Sequence, residues 1–384
     1  MSSSNETAGQ GGVKPEISLI VPTINESENL PILLKRVAAA LAGRKFEVII
    51  VDDNSKDRTP EVCAELAKTY PLTLMVRTTP TNGLSGAVLH GMARAQGTYF
   101  CVMDADLQHP PEKLPELVAP LISGQGDFVV GSRYTAGGTT ETEWGLFRSL
   151  NSKVATLLAR PFAGKITDPM SGFFALSRES YLSARNLTPL GYKIALELMC
   201  KARVTKPMEI PIHFAMREKG ESKLSLKQQF RYLEHLSRLY DFTFPRFSPV
   251  IKFLIATGLC WLVGLGVYCS VRKTDLGPIQ MIGVAYAAVI IFSAIFHVRY
   301  VKTQREFLAR QTPWFDFLLI SAAEWAAAVS TTCWLTRRVL WPNPCEIFVI
   351  AFGAATLMRY ILRKEFLQDI RGLRKNLPGE RTQD

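Results

Sequence analysis

Short apolar runs alternate with longer amphipathic segments along the first third of the chain. Five runs have the length and the flanking polar residues of buried strands, at 17–21, 46–51, 72–76, 99–103 and 127–131. Segments 29–41 and 83–95 are predicted helices. Another helix is expected to begin at Thr59 and Pro60, a capping residue followed by the residue type that favours the first helical position. The alternation is typical of a mostly parallel α/β sheet.

Polar residues follow four of the predicted strands at the points where those strands end. They are Thr23, Asn25 and Glu26, then Asp52 and Asp53, then Asp104 and Asp106, then Ser132 and Arg133. The carboxyl ends of parallel strands form one edge of such a sheet, and ligands bind in the crevice outside that edge. We therefore expect a binding site there.

The segment from Asp104 to Gln108 is the strongest candidate for chemistry at this edge. In an extended backbone Asp104, Asp106 and Gln108 point to the same side, and three such oxygen ligands suit Mg²⁺ or Mn²⁺ with a diphosphate. No Gly-x-Gly-x-x-Gly follows the first strand and no Gly-Lys-Ser/Thr loop exists, so a metal with basic side chains is the remaining way to neutralise a diphosphate. The alternative is an acidic surface turn.

Four basic residues are candidates for binding phosphate, and they are Arg133, Arg148, Arg217 and Lys223. Arginine offers two parallel donors to phosphate oxygens, which suits an enzyme that holds a donor diphosphate and an acceptor phosphate together. Asp53 is placed to accept hydrogen bonds from a nucleoside, and its alternative role is to cap a helix.

The second half of the chain predicts a membrane domain. Apolar residues in segment 226–240 fall on one helical stripe and cations, with His235, on the opposite face, as in a helix that lies in a membrane interface. Four apolar runs follow at 250–271, 277–298, 315–335 and 345–361, each near the length that spans a bilayer. Glu324 in the third run is costly in lipid, so it should face other helices or be protonated.

Charge and cysteine content refine this picture. A formal net charge of +11 beside 47% hydrophobic residues favours an anionic membrane over nucleic acid as the partner. Lysine and arginine cluster between the second and third runs and after the fourth, which predicts a cytosolic catalytic domain and cytosolic termini in a multi-pass protein of the cell membrane. The first sixteen residues have no apolar core and are expected to form a flexible tail, and the scattered cysteines are expected to be reduced.

Seven motifs together resemble those of the dolichol-phosphate mannose synthases, which are inverting enzymes of glycosyltransferase family 2. The motifs are Val21-Pro-Thr-Ile-Asn-Glu26, Val51-Asp-Asp-Asn-Ser55, the segment Asp104 to Glu112, Gly131-Ser-Arg-Tyr134, Asp168-Pro-Met-Ser-Gly-Phe-Phe-Ala175, Gly191-Tyr-Lys-Ile194 and Arg217-x-x-Gly-x-Ser-Lys-Leu224. This chain has Ile24 and Thr81 where that family usually has Tyr and Lys, and Ser85 in place of a Gly.

The resemblance implies a GT-A, Rossmann-like catalytic domain that transfers mannose from GDP-mannose to dolichyl or polyprenyl phosphate with Mg²⁺ or Mn²⁺. It implies catalytic roles for Asp106, Arg133, Arg148 and Arg217, with the metal on Asp104, Asp106 and Gln108. The acceptor phosphate would bind to Arg133, Arg148, Arg217 and Lys223. The implied nucleotide-sugar set is Pro22, Thr23, Glu26, Val51, Asp53, Asp104, Ala105, Asp106, Arg133 and Lys223.

The predicted organisation has five parts. They are a tail at 1–16, the GT-A domain at 17–225, an interfacial helix and linker at 226–248, a GtrA-like four-helix transmembrane domain at 249–364 and a basic cytosolic tail at 365–384. Copies of the chain could associate through the transmembrane domain.

Two other functions stay open on the sequence. One is a hexosyltransferase for polyprenyl phosphate that uses UDP-glucose or another UDP-sugar, and the other is a transport or scaffold protein for lipid-linked sugars. A processive polysaccharide synthase is disfavoured because Gln228-x-x-Arg231 is followed by Tyr232, where those enzymes have Trp.

Overall fold

In the computed structural model, the apolar runs of the first half pair into one seven-stranded sheet. The structure describes residues 14–140, 146–188, 190–215, 226–304, 313–338 and 343–373. The strands of the sheet are β1 (Ile17–Thr23), β2 (Phe46–Asp52), β3 (Leu72–Val76), β4 (Tyr99–Val102), β5 (Phe128–Ser132), β7 (Phe174–Ser177) and β8 (Pro207–Pro211). Their order is β3-β2-β1-β4-β7-β5-β8, and β6 (Thr139–Thr140) pairs separately with β9 (His213–Phe214).

The sheet is mixed. β1 is parallel to β2 and β4, β2 to β3, and β5 to β8, whereas β7 is antiparallel to both β4 and β5. The five predicted strands and the GT-A, Rossmann-like architecture are confirmed. β7 and β8 were not predicted, and β7 separates β4 from β5.

Helices cover both faces of the sheet. In the first half they are α1 (Leu30–Ala40), α2 (Thr59–Leu66), α3 (Gly83–Arg94), α4 (Leu114–Ile122), α5 (Leu146–Ala163), α6 (Arg178–Ser183), α7 (Ile194–Lys201) and α8 (Leu226–Thr243). Successive side chains of β1 serve different cores, because Leu19 packs with α1 and α4 residues while Ile20 packs with residues of α3, α5, α7 and α8.

The helix predicted from segment 226–240 forms as α8, but its faces differ from the prediction. Tyr232, Leu236 and Leu239 are buried in the sheet's core, and Phe230 and Leu233 are exposed. The placement of His235 on a headgroup-facing side is wrong, because His235 is fully buried with Nε2 2.5 Å from Glu197 Oε2. His235 therefore points inward to the buried carboxylate of Glu197 in α7, although the charge pattern of α8 predicts an exposed position.

The chain divides into two compact units that meet between Pro245 and Arg246. The second unit contains α9 (Ser248–Val271), α10 (Pro278–Gln304), α11 (Pro313–Arg338) and α12 (Pro344–Leu373). Among the described residues three helices are long and apolar enough to cross a membrane, at Val250–Val271, Phe317–Arg338 and Pro344–Leu362. The predicted second span falls within α10, whose described apolar part is Pro278–Ala294, and the side chains of 295–304 lie outside the described ones. The chain is a membrane protein.

Candidate active site

The carboxyl ends of β1, β2 and β4 lie side by side. Thr23 is paired with Asp52, and the amide of Asp53 donates to the Thr23 carbonyl at 2.9 Å. On the other side of β1, the amide of Met103 donates to the Ile20 carbonyl. The polar residues that follow these strands therefore share one edge of the sheet, as predicted.

Pro22 and Val51 belong to this edge through their backbones, because they are register partners in β1 and β2 and their side chains are buried. Glu26 lies in the loop after β1. Its amide donates to Thr59 Oγ1 at 3.1 Å, and its carboxylate accepts from Asn29 Nδ2 at 2.6 Å. Glu26 thereby joins the loop after β1 to the start of α2.

Asp53 is held by an arginine that the sequence reasoning missed. Arg77 Nε and Nη2 donate to the two carboxylate oxygens of Asp53 at 2.6 and 2.9 Å, and both side chains are mostly buried. The same guanidinium donates to the carbonyls of Thr81 and Gly83 at the start of α3. Arg77 follows β3 directly, so its place at a strand end was the available signal.

The three predicted metal ligands follow β4, but not in an extended chain. Residues 105–107 bend, and Leu107 has a left-handed φ of 62°. The prediction of one extended row is therefore wrong in its geometry. Gln108 turns back, with its amide N–H 3.2 Å from Asp106 Oδ1 and its Nε2 donating to the Ala215 carbonyl at 3.1 Å.

The donor set fits a hard divalent cation. The described residues contain no group of three His, Cys, Asp or Glu that could hold a metal, and the candidate set combines two carboxylates with one amide oxygen. The bond from Gln108 Nε2 to Ala215 fixes the amide, so that Oε1 is the atom left for a cation. Mg²⁺ that also binds a diphosphate needs only a few protein oxygens as ligands.

His109 supports the Asp104 loop as a neutral imidazole. The backbone N–H of Asp104 donates to His109 Nδ1 at 3.3 Å, so Nδ1 is an acceptor. Burial lowers the pKa of His109 against the opposing pull of Asp104 and Asp106. The ring stacks on Phe173 at 5.4 Å and meets Phe214 edge-on. His109 therefore packs against Phe173 and Phe214 and holds the loop at Asp104 in place.

Arg133 is oriented by Asp168. Its Nε and Nη2 donate to the carboxylate of Asp168 at 2.7 and 2.8 Å, and its backbone N–H donates to Oδ2 at 3.1 Å. Burial acts to lower the pKa of Arg133, but the hydrogen bonds and charge of Asp168 outweigh it and raise the pKa above its ordinary value. Glu209 of β8 accepts from the amides of Thr167 and Asp168, which anchors the loop.

Lys193 is a second residue that the sequence reasoning did not assign to the site. Its Nζ donates to the Met170 carbonyl at 2.8 Å, and its ammonium lies 4.3 Å from the Tyr192 ring centroid. Burial lowers the pKa of Lys193 to about 7, repulsion from Arg133 adds to this, and Asp168 and Asp104 oppose it. The motif Gly191 to Ile194 was the signal that could have identified it.

The other predicted cations have no described side-chain geometry. Arg148 lies within α5, where the structure gives the backbone only. Arg217 and Lys223 lie outside the described residues. Their phosphate-binding roles stay predictions. The charges of Arg133 and Asp104 both act on the pKa of Lys193, in opposite directions, so the three side chains lie near one another.

The chain is similar to known glycosyltransferases. The family model described as glycosyl transferase family 2 matches residues 18–183. A dolichol-phosphate mannosyltransferase of Pyrococcus furiosus is 42% identical over 66% of this chain and 74% of its own length. One from Mycosarcoma maydis is 41% identical over 63% of this chain and 84% of that protein.

Another dolichol-phosphate mannosyltransferase, from Saccharomyces cerevisiae, is 41% identical over 60% of this chain and 88% of that protein. Among solved structures, the chain is similar to glucosyl-3-phosphoglycerate synthase of Mycobacterium tuberculosis. The TM-score is 0.46 at 20% identity, over 60% of this chain and 81% of that one.

Proposed function

The chain belongs to the dolichol-phosphate mannosyltransferases of glycosyltransferase family 2, and from this premise we propose that it transfers mannose from GDP-mannose to dolichyl or polyprenyl phosphate. The observation that supports this best is the meeting of the Asp104 loop with the Arg133–Asp168 pair at one sheet edge. A carboxylate pair suited to a metal–diphosphate thus lies near a cation suited to a second phosphate.

Each part of the site has a task in this reaction. Asp53, held by Arg77, would orient the nucleoside. Asp104, Asp106 and Gln108 would hold Mg²⁺ or Mn²⁺, which would stabilise the departing diphosphate. Arg133 would face the acceptor phosphate in an orientation that Asp168 imposes, and Lys193 would add a second positive charge.

The acceptor needs no general base. An alcohol must lose a proton as it attacks, but a phosphate monoester with a second pKa near 6 is already largely a dianion at neutral pH. The most buried histidine beside the site, His109, has its Nδ1 engaged by the Asp104 amide and its ring packed between Phe173 and Phe214. In-line attack then inverts the anomeric centre, so an α-linked donor gives a β-linked lipid.

We place the catalytic unit on the cytosolic face of the cell membrane, with both termini cytosolic, because lysine and arginine cluster in the middle connection and after the last span. The exposed Phe230 and Leu233 of α8 suit contact with lipid. The second unit would be a GtrA-like anchor.

A donor panel tests the proposal. Purified protein would be offered radiolabelled GDP-mannose, UDP-glucose or UDP-N-acetylglucosamine with polyprenyl phosphate, with Mn²⁺ or with EDTA, and the lipid extracted. We expect label in lipid only from GDP-mannose with metal. Transfer from UDP-glucose alone would favour the UDP-hexose alternative, and no transfer from any donor would favour a transport or scaffold role.

A further inference from the structure

The four helices of the second unit meet at a buried polar cluster to which each contributes one residue. Glu324 of α11 accepts from Arg359 Nε and Nη2 of α12 at 2.7 and 2.6 Å, and from the hydroxyl of Tyr286 in α10 at 3.1 Å. Arg359 Nη1 lies 3.5 Å from the sulfur of Cys260 in α9. All four side chains are nearly fully buried. Ionisable groups inside a membrane domain are costly and usually functional.

The Thr257 hydroxyl in α9 is a further buried polar group of this unit. Thr257 is 9% exposed, and its Oγ1 is buried without a hydrogen bond in the described part of the chain. Other hydroxyls of the same unit bond to the preceding helical turn, as Thr332 does to the Ala328 carbonyl and Ser270 to the Gly266 carbonyl. An unsatisfied buried hydroxyl is destabilising, so a ligand that accepts from Thr257 would account for it.

Thr257 lies at the level of Arg359. Helices α9 and α12 are antiparallel neighbours, with Phe253 against Tyr360 at 5.9 Å and Trp261 Nε1 donating to Thr356 at 2.9 Å. Thr257 is halfway between Phe253 and Trp261, which places it opposite the turn that contains Arg359. It is also three residues before Cys260, so the two side chains share a helix face.

We propose that Arg359 and Thr257 form a binding site for the phosphodiester of a lipid headgroup, with Glu324 as an internal competitor for the guanidinium. An arginine fork binds carboxylate and phosphate with the same two parallel donors, so the two-point bond to Glu324 is the geometry that a phosphodiester would take over. The Thr257 hydroxyl would donate to a further phosphate oxygen.

Because Glu324 and the lipid phosphate would compete for Arg359, substitutions of Thr257 and of Glu324 should change lipid affinity in opposite directions. Thr257→Val should weaken lipid binding about tenfold, the effect of one hydrogen bond to a charged group. Glu324→Gln should tighten binding, because it frees the guanidinium, and the double variant Glu324→Gln/Arg359→Gln should lose it. Thr332→Val is the matched control, since that buried hydroxyl donates to the Ala328 carbonyl of its own helix, and the variant should bind lipid as the wild type does.

The experiment is a titration of the full chain, in maltoside micelles that contain no phosphate, with phosphatidylglycerol or with polyprenyl-phosphomannose, read by native mass spectrometry. Saturable binding of either lipid that follows this pattern supports the site, and the lipid that binds tighter identifies its source. The proposal is overturned if neither lipid saturates, if Glu324→Gln fails to tighten binding, or if the folded double variant binds as the wild type does. Binding requires no catalysis, so an inactive transferase would leave this result intact.

Discussion

Gly172 lies against the candidate metal site, so Gly172→Ala should lower the activity much more than the stability. A Cβ built at Gly172 would lie 2.9 Å from Asp104 Oδ2 and 3.4 Å from His109 Cε1. Ordinary contacts begin at 3.4 Å, so the Asp104 carboxylate must retreat by about 0.5 Å in Gly172→Ala. The atom that moves is the end of a side chain, which makes the structural cost small.

The functional cost should be larger, because that oxygen is a candidate metal ligand. A misplacement of about 1 Å at a reacting centre can cost roughly a hundredfold in rate, so about half that distance suggests roughly a tenfold loss. We expect the loss mainly as a higher Mn²⁺ concentration for half-maximal rate, with the melting temperature lowered by less than about 3 °C. Initial rates across a Mn²⁺ titration, paired with thermal melts, measure both.

Gly126→Ala is the matched control. Its Cβ would lie 3.1 Å from Met208 Sδ, so it also crowds the end of a flexible side chain, but one remote from the carboxylates. It should keep the wild-type metal dependence. If Gly172→Ala also keeps the wild-type metal dependence, Asp104 does not bind the metal.

Three further substitutions test the remaining parts of the site. Asp106→Ala should lower the activity in Mg²⁺ or Mn²⁺ by more than about a hundredfold, while its circular dichroism and melting curve stay near those of the wild type. Metal-independent transfer at a normal rate by this variant would refute the site. Arg77→Lys should raise KM for the nucleotide sugar about tenfold and leave KM for the lipid unchanged, because lysine cannot make the two-point bond to Asp53. Arg36→Lys, which alters a similar fork with the exposed Glu112, should change neither value. Lys193→Arg should alter the dependence of KM on pH, because Lys193, with a pKa of about 7, loses its charge as the pH rises from 6 to 8. KM for the acceptor should therefore rise more over that range in the wild type than in the variant. Parallel profiles would count against acceptor binding by Lys193.

The sequence predicted the fold where local pattern and tertiary structure agree. The runs that became β1 to β5 are apolar and end in polar residues, so both the strands and their shared edge could be read from spacing alone. β7 could not, because its strand assignment depends on antiparallel pairing with β4 and β5, which are distant in the sequence.

Side-chain partnerships across distant segments were beyond the sequence. The pairs Asp53–Arg77 and Arg133–Asp168 join residues 24 and 35 positions apart, and only the folded chain brings them together. The prediction that Asp104, Asp106 and Gln108 form an extended row was wrong because Leu107 adopts a left-handed conformation, which glycine normally favours. Glu324 was correctly expected to face other helices, although its partner Arg359 was not identified.

The linkage of the lipid product tests the central claim most directly. Full-length protein would convert GDP-mannose and polyprenyl phosphate in Mn²⁺, and the extracted lipid would be analysed by NMR for the anomeric configuration of its mannosyl phosphate, with Asp106→Ala as the blank. Direct attack by the acceptor phosphate predicts a β-linked mannosyl phosphate in the wild type and none in the blank. An α-linked product would contradict single-step transfer with inversion.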